Sequence, residues 1–397
     1  MLGTRRRPGR RGPYIDGFRA WLEASAYTRY TVRNMLKEIG HLGRWMAEVD
    51  VDAEDLDWEL IQTFWRVRAA SGRRRPGLRS FRPLMDYLTS AGIVRPKTSP
   101  LTPVGEVVAA YHDWLVGRGL AAATVLRYEN LTRRFLQERF DEMGRRFLEE
   151  LSATHVVAFL LRETERVSVG AAKGRVAELR ALLRFLFVRG LTPRALASAV
   201  PPVAGWHDTG LPVGLAADDV QRLLDSCDRG RSVGVRDFAI LMLVARLGLR
   251  SVEVARLQLG DIDWRAGEMT VRGKGGRRDR LPLPCDVGET LTAYLREARP
   301  STSVREVFLM SKAPRRPIRA DLVHDVTRRV CRRAGLPIVG AHRLRHALAT
   351  EMLHRGATLI EVSQVLRHRD LATTAIYAKV DLGTLRQVAQ PWPGAEQ

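Results

Sequence analysis

The chain has 397 residues, of which 45% are hydrophobic. This length suits two or three globular domains, each able to bury a core. The formal net charge is +21, from 65 Lys and Arg against 44 Asp and Glu. Such an excess makes a polyanion, and above all nucleic acid, the expected partner. The competing explanation is an arginine bias from base composition alone.

Several classes of protein are excluded by what the sequence lacks. The three cysteines, Cys227, Cys285 and Cys331, are far apart and show neither a disulfide framework nor zinc-ligand spacing, so we expect a reducing cytoplasm. Residues 1–13 are basic without a following apolar stretch and predict a flexible tail rather than a signal peptide. The longest apolar run, at 238–244, is too short to cross a membrane.

Residues 14–99 form the first predicted domain. Apolar side chains recur in it at helical spacing, as at Phe18, Trp21 and Leu22. Gly92 is expected to end its last helix. Prolines at 96, 100 and 103 then mark a linker.

Residues 100–200 repeat the plan of the first domain. Phe18-Arg-Ala-Trp21-Leu22 matches Tyr111-His-Asp-Trp114-Leu115 at an offset of 93, and Gly92 matches Gly190 at an offset of 98. We interpret this ordered agreement as a tandem duplication of one small helical domain. The alternative is that any two amphipathic helical segments share such spacing.

A proline- and glycine-rich linker at 201–214 precedes a third predicted domain at 215–397. Helices dominate it, and Glu268–Arg272 with the segment from Arg280 predicts a β-hairpin around a glycine-rich turn. The expected fold is therefore mainly α. Two small helical domains precede an α+β domain that contains a small antiparallel sheet.

Two residues early in the third domain are candidates for binding a phosphate, and a third can support one of them. Arg250 can present its planar guanidinium to phosphate oxygens, with Glu253 one helical turn later to hold it. Lys274 lies in Gly-Lys-Gly-Gly at the predicted hairpin tip, where glycines allow a close approach to a ligand. An exposed ion pair and a solubilising hairpin tip are the plain alternatives.

Further candidates follow nearer the end of the chain. His342 and Arg345 are spaced to share one helix face and combine a proton carrier with a fixed charge, whereas His346 could equally be a packed core histidine. His368 precedes Tyr377, a phenol that becomes a nucleophile only beside cations. Most tyrosines are structural, so the whole set carries the argument.

The motifs together resemble the tyrosine recombinase (phage integrase) family. They are Arg250-Ser-Val-Glu253, His342-Arg-Leu-Arg345-His346 and Leu366-Arg-His368-Arg-Asp-Leu-Ala-Thr-Thr-Ala-Ile-Tyr377. The resemblance covers roughly residues 215–385 as a catalytic domain, and 100–200 looks like the family's core-binding domain. An additional helical domain at 14–99 departs from the usual two-domain architecture.

The resemblance implies a site-specific recombinase or integrase of a mobile element that uses neither metal nor ATP. Tyr377 would attack a DNA phosphodiester and form a 3′-phosphotyrosyl link. Arg250 and Arg345 would hold the non-bridging oxygens. His368 would hydrogen-bond the phosphate, and Lys274 would protonate the leaving 5′-oxygen.

Two further residues have supporting roles by the same resemblance. His342 would be the general base toward Tyr377, and Glu253 would buttress the site. The expected partner is double-stranded DNA, bound by a homo-tetramer or a mixed tetramer with a related recombinase on paired sites. The alternatives are a type IB topoisomerase with the same chemistry and a DNA-binding protein without catalysis.

Overall fold

The computed structural model describes residues 12–70, 77–94, 102–143, 146–165, 167–204, 215–273 and 276–368, together with Thr374 and Tyr377. By compactness the chain forms two units, Met1–Arg95 with Asp208–Gln397 and Pro96–His207. Separate hydrophobic cores lie in a first block (12–94), a second block (102–204) and a third block (215–377). No helix in the described ranges combines the length and apolar character that crossing a bilayer requires.

The first block is helical, as its apolar periodicity predicts. Thr28 starts the second helix by accepting a hydrogen bond from the Thr31 backbone N–H, which satisfies one of the free donors of that helix end. Phe18, Leu22 and Leu42 are among the buried core residues. The helices are α1 (Gly12–Ala24), α2 (Arg29–Glu48), α3 (Trp58–Ala70) and α4 (Arg82–Ser90).

The second block is also helical. Some of its helices begin at capping hydroxyls, including Ser152 and Ser168, whose side chains accept hydrogen bonds from the backbone N–H three residues later. They are α5 (Pro103–Gly117), α6 (Ala122–Met143), α7 (Arg146–Glu149), α8 (Ala153–Thr164) and α9 (Val169–Val188).

The two helical blocks share one arrangement of three aromatic rings. In the first block two rings lie 6.1 Å apart at 15°, and the third is tilted by 51° and 57° against them. In the second block two rings lie 5.8 Å apart with an interplanar angle of 21°, and the third ring is tilted by 46° and 58° against them. The rings are Phe18, Trp21 and Tyr87 in the first block, and Tyr111, Trp114 and Phe185 in the second.

The turns of the two blocks correspond as well. Gly92 and Gly190, which follow α4 and α9, adopt left-handed φ values of 65° and 67°. Ala26 and Gly119, after α1 and α5, have φ values of 61° and 74°. Rings and turns thus recur at the offsets that the sequence indicates.

The third block is helical around a small sheet, as predicted. Two acidic residues, Asp218 and Asp219, lie in the first turn of α10, where they complement the helix dipole. The elements before the sheet are α10 (Ala217–Asp225), α11 (Ser232–Leu247) and α12 (Ser251–Arg256). Those after it are α13 (Cys285–Ala293), α14 (Ala320–Ala334), α15 (Ala341–His354) and α16 (Leu359–Leu366).

The sheet is antiparallel, with the order β1-β2-β3. Strands β2 (Glu268–Arg272) and β3 (Arg278–Pro282) form the predicted hairpin, and Arg272 pairs with Arg278 at its tip. A two-residue strand, β1 (Ile262–Asp263), adds an edge that the sequence did not reveal. The hairpin tip is the place where the sequence puts Lys274, which lies outside the described residues.

Helix α11 crosses the centre of the third block and is buried on nearly every side. A helix that is apolar all round must be covered by neighbours, and α10, α13, α14 and α15 all pack against it. The end of α11 therefore lies inside the domain, beside α12 and α15. This placement brings distant motifs of the sequence together.

Candidate active site

The site begins where α11 stops. Gly248 has a left-handed φ of 58° and ends the helix, a conformation that glycine adopts without strain. A Cβ at this position would lie 2.7 Å from a methyl carbon of Leu366 and 3.1 Å from one of Leu348. Glycine therefore allows α11 and α16 to approach closely, and Arg250 follows at the start of α12.

Glu253 holds the start of α12 from within. Its carboxylate accepts from the Arg250 backbone N–H at 2.9 Å and from Arg250 Nη1 at 2.7 Å. Arg367 Nη2 donates to the same carboxylate at 2.9 Å. Burial alone would raise the pKa of Glu253, but the hydrogen bonds from Arg250 and the charge of Arg367 hold it below its usual value. Glu253 is thus an ionised brace between two arginines.

Arg345 is the most deeply placed cation of the site, with 2% of its surface exposed. Its two Nη atoms donate to the backbone carbonyls of Gly248 and Leu366. Burial lowers the pKa of this guanidinium, and the charges of Arg250 and Arg367 lower it further. Arginine still remains protonated at neutral pH, so a fixed positive charge lies between the ends of α11 and α16.

Tyr377 lies beside this charge, with 1% of its surface exposed. Its hydroxyl is 2.7 Å from Nδ1 of His346. Burial raises the pKa of Tyr377, and the charge of Arg345 opposes the rise. The phenol is therefore neutral in the free protein and in contact with an imidazole.

Two further imidazoles, those of His342 and His368, lie near the phenol. His342 packs edge-on against the ring of His346, with centroids 4.4 Å apart. His368 stacks parallel to Tyr377 at 6.4 Å, and its Nδ1 is 2.7 Å from the hydroxyl of Thr374. Burial and the nearby arginines lower the pKa of His342, and lower that of His368 to about 4. At neutral pH these rings carry no charge.

The structure brings together five of the predicted residues around one point: Arg250, Glu253, Arg345, His368 and Tyr377. His342 lies one ring away from the phenol. Lys274 falls outside the described residues, so its place stays a prediction.

Three neighbours were not assigned from the sequence: His346, Arg367 and Thr374. Arg367 lies between Leu366 and His368 in the third motif. Its left-handed φ of 54° ends α16 and turns the side chain inward. His346 lies in a quoted motif, four residues after His342. That helical spacing was the one available signal that both rings share a face.

This arrangement suits chemistry at a phosphodiester. Two arginines offer N–H groups to the anionic oxygens, which is the geometry that guanidinium provides for phosphate. A buried phenol beside a fixed positive charge is a candidate nucleophile. Neutral imidazoles can accept its proton or hydrogen-bond the phosphate.

Comparison with known proteins points the same way. The profile of the Phage integrase family matches residues 214–383, a range that holds every predicted site residue. The Sinorhizobium fredii protein y4rA, named as an integrase/recombinase, is 39% identical over 97% of this chain and 95% of its own length. Tyrosine recombinase XerD of Mycobacterium tuberculosis is 32% identical over 72% of this chain and 95% of its own.

The fold agrees with these sequence matches. The crystal structure of the XerH site-specific recombinase bound to palindromic difH substrate covers 97% of this chain and 97% of its own, with a TM-score of 0.52 and 18% identity. It supports the fold alone, whereas the identity to y4rA and XerD extends over whole domains. The chain therefore belongs to the phage integrase family of tyrosine recombinases.

Proposed function

We propose that this protein cuts and rejoins duplex DNA at specific sites through a covalent 3′-phosphotyrosyl link to Tyr377. The observation that carries the proposal is the position of the Tyr377 hydroxyl. The hydroxyl is buried and lies 2.7 Å from Nδ1 of His346. The positive charge of Arg345 is close enough to lower the pKa of the phenol. A tyrosine that served only the core would need none of these neighbours.

Each charged residue then has a distinct task. Arg250 and Arg345 neutralise the non-bridging oxygens, and His368 donates a further hydrogen bond to the phosphate. Tyr377 forms a bond to phosphorus while the bond to the 5′-oxygen breaks, and Lys274 protonates that leaving oxygen. The energy of the broken bond is kept in the phosphotyrosine, so a second 5′-hydroxyl can reverse the step.

Glu253 keeps Arg250 in place for this task. The Arg250 side chain is 44% exposed, yet it is fixed through Nη1 and its backbone N–H. A guanidinium oriented in advance loses little entropy when it binds phosphate. The exposed edge of Arg250 is therefore free to meet a DNA strand.

Replacing Tyr377 with Phe tests the central step. The change removes one oxygen, so strand cleavage should disappear while DNA affinity, which rests on phosphate contacts, should persist. Footprinting on the DNA that flanks the gene identifies the site. A nicked duplex of that site should then trap the wild-type protein covalently and leave Tyr377→Phe free. Covalent trapping of the variant would reject the assignment.

The same experiment separates recombination from the alternatives. A type IB topoisomerase activity would relax supercoiled DNA that lacks the footprinted site, and a non-catalytic DNA-binding protein would trap no covalent complex. We expect site-dependent joining of two DNA duplexes by a homo-tetramer, or by a mixed tetramer with a related recombinase. Mass photometry of the complex on paired sites measures that assembly.

The first block is proposed to bind DNA beyond the core site. Arg29, Arg33 and Lys37 recur every fourth residue along α2, so they share one face. All three are exposed, and none forms an ion pair within the described ranges. Tyr30 is 75% exposed beside them. Unpaired cations along one helix face are suited to a phosphate backbone.

A further inference from the structure

Helix α15 presents two histidines to the nucleophile, and the nearer one is His346. Its Nδ1 is 2.7 Å from the Tyr377 hydroxyl, and the ring centroids are 5.3 Å apart. His342, one turn earlier, contacts the ring of His346 edge-on at 4.4 Å. The order of contact is therefore phenol, His346, His342.

The direction of the phenol–imidazole hydrogen bond follows from the charge of the ring. A protonated His346 would donate to the phenol oxygen, whereas a neutral ring with its proton on Nε2 accepts from the phenol. Burial, His342 and the charges of Arg343 and Arg345 lower the pKa of His346 to about 4. The ring is therefore neutral at pH 7, and with its proton on Nε2 it accepts a hydrogen bond from the Tyr377 O–H at Nδ1.

We propose that His346 is the general base that removes the proton from Tyr377 during DNA cleavage. The inference rests on the proposed function, because it assigns the proton acceptor of the same covalent step. It replaces the expectation, drawn from resemblance, that His342 has this role. His342 instead packs against the ring of the base and limits its rotation.

The step balances in atoms and electrons. The Tyr377 O–H bond breaks and its proton passes to Nδ1 of His346, while the phenol oxygen forms the bond to phosphorus. The P–O5′ bond breaks, its electron pair stays on the 5′-oxygen, and that oxygen takes a proton from Lys274. Rejoining runs the same transfers backwards, with His346 returning the proton to the departing phenol.

A weak base is adequate for this transfer, for two reasons. The phenol becomes strongly acidic as its oxygen bonds to phosphorus, so the proton moves along with the attack rather than before it. A bound phosphodiester also adds negative charge beside Arg345 and the histidines. That charge raises the pKa of His346 in the complex and stabilises the imidazolium that forms.

Substitution by asparagine separates proton transfer from mere positioning. The asparagine side chain would keep an acceptor oxygen near the place of Nδ1 but could not take a proton. We expect His346→Asn to slow single-turnover cleavage of the nicked duplex by about 10²-fold or more, and His342→Asn to slow it less. Cleavage by His346→Asn within about threefold of wild type, or a larger loss in His342→Asn, would overturn the inference, because proton transfer alone contributes roughly 10²-fold or more.

A second substrate shows whether a variant is defective at the leaving 5′-oxygen or at the attacking phenol oxygen. A 5′-bridging phosphorothiolate has a leaving group that needs no proton, so it should restore cleavage by Lys274→Ala. It should not restore His346→Asn, whose defect lies at the attacking oxygen. Recovery of His346→Asn on this substrate would contradict the assignment.

A third measurement does not depend on the folding of the asparagine variant. In His346→Ala, added imidazole should restore cleavage in proportion to the concentration of its neutral form, and N-methylated imidazolium should not. DNA affinity and thermal melting of each variant serve as controls. Absence of rescue in a folded His346→Ala protein counts against the base. Loss of the covalent complex in Tyr377→Phe tests the proposed function separately.

Discussion

At the scale of single residues, the sequence indicated most of the site but not its contacts. Arg250, Arg345 and Tyr377 are predicted because their motifs occur together, in the order and spacing of the tyrosine recombinase family. The resemblance assigns the general base to His342, but both His342 and His346 lie on one face of α15, and only the packing of Tyr377 shows which ring it meets. Arg367 was overlooked because nothing local shows that its side chain turns inward to Glu253.

The two helical blocks differ at one buried hydroxyl. Tyr111 is fully buried and its hydroxyl has no hydrogen-bond partner among the described residues, whereas the first block has Phe18 at the same place. Burial raises the pKa of Tyr111 far above its usual value, which shows how strongly this site disfavours charge. A buried polar group without a partner costs about 1–3 kcal/mol.

Tyr111→Phe should therefore stabilise the second block by about 1 kcal/mol. Phe18→Tyr, its mirror change in the first block, should destabilise that block by a similar amount. Urea unfolding of the full chain, followed by tryptophan fluorescence, measures both variants. Equal midpoints for Tyr111→Phe and wild type would mean that the hydroxyl reaches water or another partner.

At the scale of elements, the periodicity of the sequence predicted the helices and the hairpin well. The long, strongly patterned segments α2, α11 and the β2–β3 hairpin all occur where expected. Strand β1 was missed because two residues cannot show an alternating pattern. What the sequence could not supply was the junction of α11, α12 and α16, which depends on hydrogen bonds between residues about a hundred positions apart, from Arg250 to Arg367 and from Arg345 to Gly248.

Glu253 lies at this junction and makes it sensitive to acid. Its pKa is lowered in the folded protein, so its contribution to stability is complete above the ordinary glutamate pKa and is lost as pH falls through the lowered value. His346 and His368, with pKa values of about 4, act in the same direction. Their contribution is present above the ordinary histidine pKa of about 6.5 and declines as pH falls toward 4.

Glu253→Gln should destabilise the third block by about 3–5 kcal/mol, because it leaves the buried Arg367 guanidinium without a counter-charge. In the variant, the loss of stability that wild type shows as pH falls below the ordinary glutamate pKa should be absent. The loss of stability caused by protonation of His346 and His368 at higher pH should remain. Thermal unfolding between about pH 3 and pH 7, the range that brackets both ordinary pKa values, gives both quantities by circular dichroism. Glu268→Gln, at a carboxylate that pairs with the exposed Arg280 on the hairpin, is the matched control. An acid profile of Glu253→Gln equal to that of wild type would exclude this role.

At the scale of the whole molecule, the sequence predicts two related helical blocks ahead of a catalytic block, and each of the three blocks has hydrophobic core residues of its own. The internal match was detectable because aromatic residues at fixed offsets are rare. The charge of the first block does not follow from the duplication. The α2 positions Arg29, Arg33 and Lys37 correspond at an offset of 93 to Ala122, Leu126 and Asn130, which carry no charge. The first block thus has a basic surface of its own.

Removal of residues before Pro103 should shorten the DNA footprint and make the salt dependence of binding shallower, by about 0.9 in the log–log slope for each lost phosphate contact. The truncated chain should still form the covalent Tyr377 complex on a core site. The triple variant Arg29→Gln, Arg33→Gln, Lys37→Gln should reproduce the shallower slope in the full chain. Fluorescence anisotropy over a salt series measures it.

The control variant for this triple change removes the same charge elsewhere in the first block: Arg66, Arg79 and Arg82 are changed to Gln. All three residues are exposed. Its slope should stay near the wild-type value. The rival interpretation is that the first block mediates protein contacts between recombinases. An unchanged footprint and slope in the truncated chain, with weaker joining of two sites, would favour that rival.

The matching aromatic rings have a consequence for how the chain folds. Helices α1 and α5 each carry the ring pair that packs against the closing helix of their own block, α4 or α9. In an unfolded chain either helix can enter the wrong block, an exchange that tandem repeats are prone to. During synthesis α4 leaves the ribosome before α5, so the first block closes before its competitor exists. When the full chain refolds after dilution from denaturant, α1 and α5 are both present from the start. The order of synthesis then no longer prevents either helix from packing into the wrong block.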